Sequence, residues 1–423
     1  MTKIRAFSAI RPCTALAAEV AALPYDVYSR EEAAAAVQGH PYSFLNIDRP
    51  ETQFDPGQDM YAPEVYQKAD EMLKEWLDKG ILIREEAPAY YIYSQTMGGR
   101  MQTGLVALSS VDDYLSDVVK KHENTRADKE EDRMHHVDTT SMQTGPIFLA
   151  YRDSYEADHV IDQALRTVPL YDFESDDGIR HTLYRISDER LIGKLTEAFA
   201  EIPCTYIADG HHRAASAVRV AKKRREAHPN YTGEEEFNWF LSVLFPMSQL
   251  RIYDYNRVVH DLNGLSREEF LKKLAESYDV TELKLQPGEE EKDPEYMRPY
   301  EKGQVGMYLS GVWYRLTARE EILSGDPVKG LDVSMLQDHV LAPLLGILDP
   351  KTDRRIDFVG GIRGLAELER RVREDCAAAF SMYPTSIHEL FDVADAHLLM
   401  PPKSTWFEPK LRSGLFIHRL DED

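Results

Sequence analysis

The run YIADGHHRAASA, residues 206–217, constrains this chain more than any other. Its apolar half reads as a strand ending at Ala208, Gly210 permits a tight turn, and a helix follows from Ala214 to Ala227. A strand that feeds straight into a helix leaves the first-turn N–H groups pointing outward at the positive end of the helix dipole. That geometry holds an anion. His211, His212 and Arg213 add three donor side chains there, and arginine matches phosphate in charge and shape. Asp209 sits at the carboxyl end of the strand, placed to hold Mg²⁺ or a substrate hydroxyl. A carboxylate beside an anion cradle repels phosphate unless a metal or a proton intervenes. The plain alternative is an aspartate N-cap with two ordinary loop histidines.

The rest of the chain mixes helix and strand signals throughout, so the class is α/β or mixed α+β. The clearest helix lies within 56–80, where Val65, Ala69, Met72, Leu73, Trp76 and Leu77 share one face and Gly80 supplies a stop. Strands are expected at 89–94 and 101–109 across a Met-Gly-Gly turn, at 146–151 (PIFLAY) and at 239–246 (WFLSVLFP). Residues 307–316 read as a hairpin with a Ser-Gly turn, 42–48 as strand or loop, 15–23 as an alanine-rich helix and 110–119 as a helix. The acidic stretch PGEEEKDPE, 287–295, marks the best internal boundary. The expected organisation is an N-terminal region 1–265, with a nucleotide-binding core at about 88–265, and a C-terminal α/β substrate-binding region 266–423.

Fifty basic against seventy-three acidic side chains give a net charge of −23, which repels nucleic acid and anionic membrane. No window is apolar for long enough to span a bilayer, and Glu19 interrupts the one signal-like stretch. Cys13, Cys204 and Cys376 form no C-x-x-C pair, which fits a reducing, cytoplasmic setting. A homo-oligomer stays open.

Two further motifs carry charge. KKHENT, 120–125, follows a helix and precedes a charged stretch, 126–138. A carboxylate among cations suits a positioned acid or base, although charge runs more often form solvated faces. MPPKSTWFEPK, 400–410, offers Lys403, Ser404 and Thr405 on a proline-stiffened loop, which suits a carboxylate or phosphate and also fits a plain edge loop.

Together with Arg11-Pro12, PYDV at 24–27 and PYSFLNIDRP at 41–50, these motifs resemble the prokaryotic family called domain of unknown function 1015 along the whole chain. They also resemble the free L-serine kinases of the ParB/sulfiredoxin-like superfamily, which carry K-x-H-E, D-G-H-H-R and P-T…P-K-T-T segments in the same order. The counterparts here are residues 120–123, 209–213, and Pro384-Thr385 with 402–405. The resemblance implies a ParB/sulfiredoxin-like nucleotide-binding core with additions at both ends. It implies that Glu123 and Asp209 carry catalysis, with Asp209 on the metal. It further implies that Gly210, His211, His212 and Arg213 hold nucleotide phosphates, and that His122, Lys403, Ser404 and Thr405 bind substrate. The implied cofactors are ATP or ADP with Mg²⁺, and the implied partner is a small hydroxyl-bearing metabolite such as free serine. Eighty-six residues separate Glu123 from Asp209 (209 − 123), which implies an insertion at about 134–200 that loops out. A sulfiredoxin reaction is disfavoured, because His211 stands where its cysteine would be. Two rivals are a nucleotide-binding regulator without turnover and a metal hydrolase built on His135, His136, His211 and His212. Adjacent histidines diverge and lack the i, i+4 spacing of helical zinc ligands, which counts against the second.

Overall fold

The structure, a computed structural model, describes residues 1–284 and 294–421. The chain is a mixed α/β protein of two compact units, Met1–Leu250 with Pro409–Asp423, and Arg251–Glu408. The division thus falls at 250/251 and not at 265/266. The strand at Tyr255–Val259 pairs with strands near residues 358 and 379, so its hydrogen bonds tie it to the second unit. The last fifteen residues return to the first unit. Most of the acidic stretch at 287–295 lies outside the described residues.

The first unit is built on a nine-stranded mixed sheet. In chain order its strands are β1 (Ile4–Arg5), β2 (Tyr90–Met97), β3 (Arg100–Ser110), β4 (Val119–Lys120), β5 (Ile147–Tyr151), β6 (Tyr171–Glu174), β7 (Arg180–Ile186), β8 (Thr205–Asp209) and β9 (Trp239–Pro246). They lie in the order β4-β8-β5-β9-β3-β2-β7-β6, with β1 added against β3. The β2–β3 hairpin turns through Gly98 and Gly99, both at positive φ, as a tight two-residue turn requires. Every residue of β5 and β9 is buried, which is why these runs read as continuously apolar.

The helices of this unit are α1 (Pro63–Asp78), α2 (Ala127–Thr140), α3 (Tyr155–Ala164), α4 (Glu189–Ala200) and α5 (His211–Ala227). Alternate residues of β5, Ile147, Leu149 and Tyr151, share one core with Val160 and Ile161 of α3, Leu195 and Phe199 of α4, and Ala214, Ala217 and Ala221 of α5. The small alanines let α5 lie close to the sheet. The apolar face expected for α1 is buried through Val65, Ala69, Met72, Leu73 and Trp76, and Gly80 follows it at φ +70°. Trp76 packs edge-on against Phe44 and Tyr42.

Four local expectations change. Residues 42–48 contain a short helix, Leu45–Asp48, in place of a strand or loop. The alanine-rich stretch forms only two short turns, Thr14–Leu16 and Ala17–Val20. The helix after Ser110 stops at Leu115, and Asp117 at φ +61° turns the chain into β4. Most consequentially, 134–200 does not loop out. It supplies β5 in the middle of the sheet, β6 and β7 at its edge, and α3 and α4 over its face, because its apolar runs need the same core.

The second unit holds a six-stranded antiparallel sheet. Its strands are β10 (Tyr255–Val259), β11 (Tyr278–Leu283), β12 (Gln304–Leu309), β13 (Val312–Ala318), β14 (Ile356–Gly360) and β15 (Ala378–Met382), in the order β11-β13-β12-β15-β10-β14. The hairpin read at 307–316 is β12–β13, turning at Ser310 and Gly311. Among the described residues no helix is long and apolar enough to cross a membrane.

Candidate functional site

β4 and β8 are neighbours and run parallel, with Val119 opposite Thr205 and Lys120 opposite Tyr206. The chain therefore leaves both strands at the same end of the sheet, so the segment holding Glu123 and the end of β8 holding Asp209 emerge there together. On β8 the pairing with β5 slips between Ile207 and Asp209, a bulge that re-aims the end of the strand. Gly210 follows at φ +90° as the N-cap of α5, which starts at His211, and it has no side chain with which to cap the helix. The first-turn amides of α5 lie at this end of the sheet.

His211 and His122 are both buried, and their rings meet edge to face with centroids 4.6 Å apart. His211 Nδ1 is 3.9 Å from Glu123 Oε2. Glu123 is the exposed member, with 44% of its side chain accessible. Burial drives both histidines toward the neutral form: His122 is pushed down to about 4, and His211 falls well below its ordinary value, helped by His122. The structure thus brings His122, Glu123, Asp209, Gly210 and His211 together. His212 is half-buried beside them, and burial lowers its pKa as well.

Arg213 is turned inward. Its guanidinium donates to the Pro146 carbonyl and, at 3.2 Å, to Asp209 Oδ2, and it lies against Gly210, where a Cβ would come within 3.1 Å of it. Asp209 also faces Lys410, with Nζ 3.5 Å from Oδ1. Burial raises the Asp209 pKa, but the charges of Lys410 and Arg213 outweigh it and hold the carboxylate well below its usual range. Each Asp209 oxygen thus already meets a cation. The Mg²⁺ site expected on Asp209 does not fit these surroundings, since a hard dication would have to displace or repel two cations.

Lys410 is the residue that sequence reasoning passed over, although it closes the motif containing Lys403. Lys403, Ser404 and Thr405 lie in the second unit. There Lys403, at φ +57°, offers its carbonyl to Arg257, and its Nζ lies 5.5 Å from the Tyr255 ring centroid. The Ser404 hydroxyl donates to the Pro401 carbonyl at 2.7 Å, and the Ser404 carbonyl accepts from the Thr385 hydroxyl.

Beside Arg213 lies a small cavity of about 30 Å³, whose lining includes the polar side chains of Tyr25, Asp48, Arg133, His136, Thr144 and Arg213 among apolar ones. Arg133 lies over the Tyr25 ring and pairs with Asp132, and Thr144 donates to Asp48. The available signals were the proline-flanked motifs holding Tyr25 and Asp48. Arg133 was hidden in a charge run that reads as a solvated face, yet Asp132, Arg133 and His136 are buried. His136 Nε2 donates to the Ile47 carbonyl and His135 is exposed on α2, so the four histidines of the hydrolase rival do not form one group.

A family model described as protein of unknown function (DUF1015) matches residues 4–334. The chain belongs to that family. Among solved structures it is similar to a free serine kinase in complex with AMP, at 12% identity over 73% of this chain and 91% of that chain, with a TM-score of 0.33. SbnI with a C-terminal truncation, from Staphylococcus aureus, is similar at 12% identity over 75% and 90%, with a TM-score of 0.36. A conserved hypothetical protein from Pyrococcus furiosus is similar at 13% identity over 74% and 94%, with a TM-score of 0.32. No curated protein matches. These likenesses are distant.

Proposed function

We propose that this protein is a small-molecule kinase that moves a phosphoryl group from ATP or ADP to the hydroxyl of a free amino acid such as serine, or of a similar small metabolite. The observation that carries the reading is the parallel β4–β8 pair, which delivers Glu123 and Asp209 to one end of the sheet beside the glycine-led start of α5. On this reading the part of the stretch 88–265 that lies in the first unit, 88–250, forms a ParB/sulfiredoxin-like nucleotide core. The 30 Å³ cavity holds about one or two waters and not a nucleotide, so the phosphates are assigned to the open side of the α5 N-terminus.

Phosphoryl transfer asks the protein mainly for alignment and charge neutralisation. In the scheme the amides at 211–213 and His212 hold the terminal phosphates. The acceptor oxygen attacks the terminal phosphorus, the bond to the bridging oxygen breaks, and the nucleotide leaves with that electron pair. The hydroxyl proton passes to Glu123, whose exposure lets it return the proton to water. Asp209 orients the hydroxyl, Lys410 offsets charge on the phosphoryl group, and Arg213 positions Asp209 by holding one oxygen. No metal enters the scheme.

Phosphorus NMR of the full chain with ATP or ADP, Mg²⁺ in the buffer and a panel of hydroxy amino acids tests this. A new phosphate-ester resonance is expected. Glu123→Gln should slow its appearance by about 10²–10⁴-fold while nucleotide binding survives. Nucleotide binding with no ester from any acceptor would replace the kinase by a nucleotide-responsive regulator.

A further inference from the structure

Buried nitrogens without a hydrogen-bond partner among the described residues cluster at this site: His122 Nδ1 and His211 Nε2, with His212 Nδ1 and Arg213 Nε beside them. Buried polar atoms are rarely left so, and each such atom calls for an explanation, a missing ion among them. Both rings are buried, and a neutral imidazole carries one N–H and one lone pair, so each can turn a lone pair toward an ion. One nitrogen of His122, one of His211 and a carboxylate oxygen of Glu123 all lie within 4.8 Å of one another.

We propose that His122, Glu123 and His211 form a site for a divalent transition-metal ion, zinc or a close relative, with at least one coordination position open. Two neutral imidazoles and one carboxylate suit such ions and not the oxygen-seeking Mg²⁺, in keeping with the poor fit of Mg²⁺ at Asp209. Three protein ligands with an open position is also the pattern of catalytic zinc. Tetrahedral bonds of about 2.0–2.1 Å set ligand atoms about 3.3 Å apart, so the group must close slightly. Glu123, exposed at the mouth, can supply that movement while the buried histidines stay fixed. Asp209 is a neighbouring anion whose charge Lys410 and Arg213 partly offset, and Lys121 is a further positive charge near His211. The proposal stands without the kinase reading. If that reading holds, the ion takes up the carboxylate assigned to the hydroxyl proton, so the two roles are alternatives.

The test is equilibrium dialysis of the full chain, stripped with a chelator and returned to Zn²⁺, with Co²⁺ substitution read by its visible absorption. No nucleotide is present, so a failed kinase assay leaves the result standing, and absent metal binding leaves the kinase assay to be judged separately. One ion per chain is expected, with a visible Co²⁺ band. His122→Asn and His211→Asn should each weaken binding by at least about 10-fold. Glu123→Gln changes an exposed side chain, so it tests the site even where a buried histidine variant does not fold. It too should weaken binding and alter the band. His135→Ala removes the exposed His135–Glu131 pair on α2 and should change nothing. Failure to bind one ion, or binding that survives Glu123→Gln and is lost in His135→Ala, would overturn the proposal.

Discussion

Replacing Gly210 by alanine tests whether the turn into α5 is as tight as the geometry requires. Gly210 sits at φ +90°, where a side chain is disfavoured by about 1–2 kcal/mol. Its added Cβ would also stand 3.1 Å from the guanidinium atoms of Arg213, so Arg213 must give by a few tenths of an ångström. That shift acts on the 3.2 Å bond to Asp209 and adds to the cost. Gly193 is the control. It lies inside α4 without a positive φ, and a Cβ added there would meet nothing within 4 Å. Alanine at this position should stabilise by about 0.5–1 kcal/mol. Both sites lie in the first unit, so both variants act on the same transition in urea denaturation followed by circular dichroism. Gly210→Ala should lower the midpoint, Gly193→Ala should raise it, and the two should differ by about 1.5–3 kcal/mol. A Gly210→Ala protein as stable as the parent, with nucleotide binding unchanged, would refute the described turn.

Lys410→Met should destabilise the first unit by about 1–2 kcal/mol, less than the roughly 3–5 kcal/mol of a broken, fully buried pair, because Arg213 still serves Asp209. Lys410→Arg should recover most of that loss in the same denaturation assay. Asp188→Ala should cost about 0.5–2 kcal/mol, since Asp188 Oδ1 accepts from the Arg190 and Leu191 amides at the start of α4. His181 is held down to about 3 by burial and the charge of Arg412, so it stays neutral in the fold while the unfolded chain takes up a proton below about 6.5. Its contribution to stability is therefore complete above about pH 6.5 and is lost as the pH falls toward 3. The stability gap between the parent and His181→Gln, measured by denaturation from pH 7 to pH 4, should narrow by up to about 1.4 kcal/mol per pH unit.

Local periodicity and turn chemistry were enough to locate α1, the β2–β3 and β12–β13 hairpins, the buried runs of β5 and β9, and the strand–glycine–helix passage at Asp209. These depend on neighbours a few residues away, and the side-chain pattern records them. The emergence of Glu123 and Asp209 at one end of the sheet depends on β4 lying beside β8, a pairing between segments 86 residues apart (205 − 119) that no local pattern encodes. The same holds for Lys410, which reaches Asp209 only because the chain's last segment returns to the first unit after Glu408. It holds again for Arg213, whose charge marks it for phosphate but whose side chain is drawn inward by a carbonyl and a carboxylate. Residues 134–200 look like surplus when counted along the chain and prove to be the middle of the sheet, since an apolar strand finds its place by burial and not by sequence order.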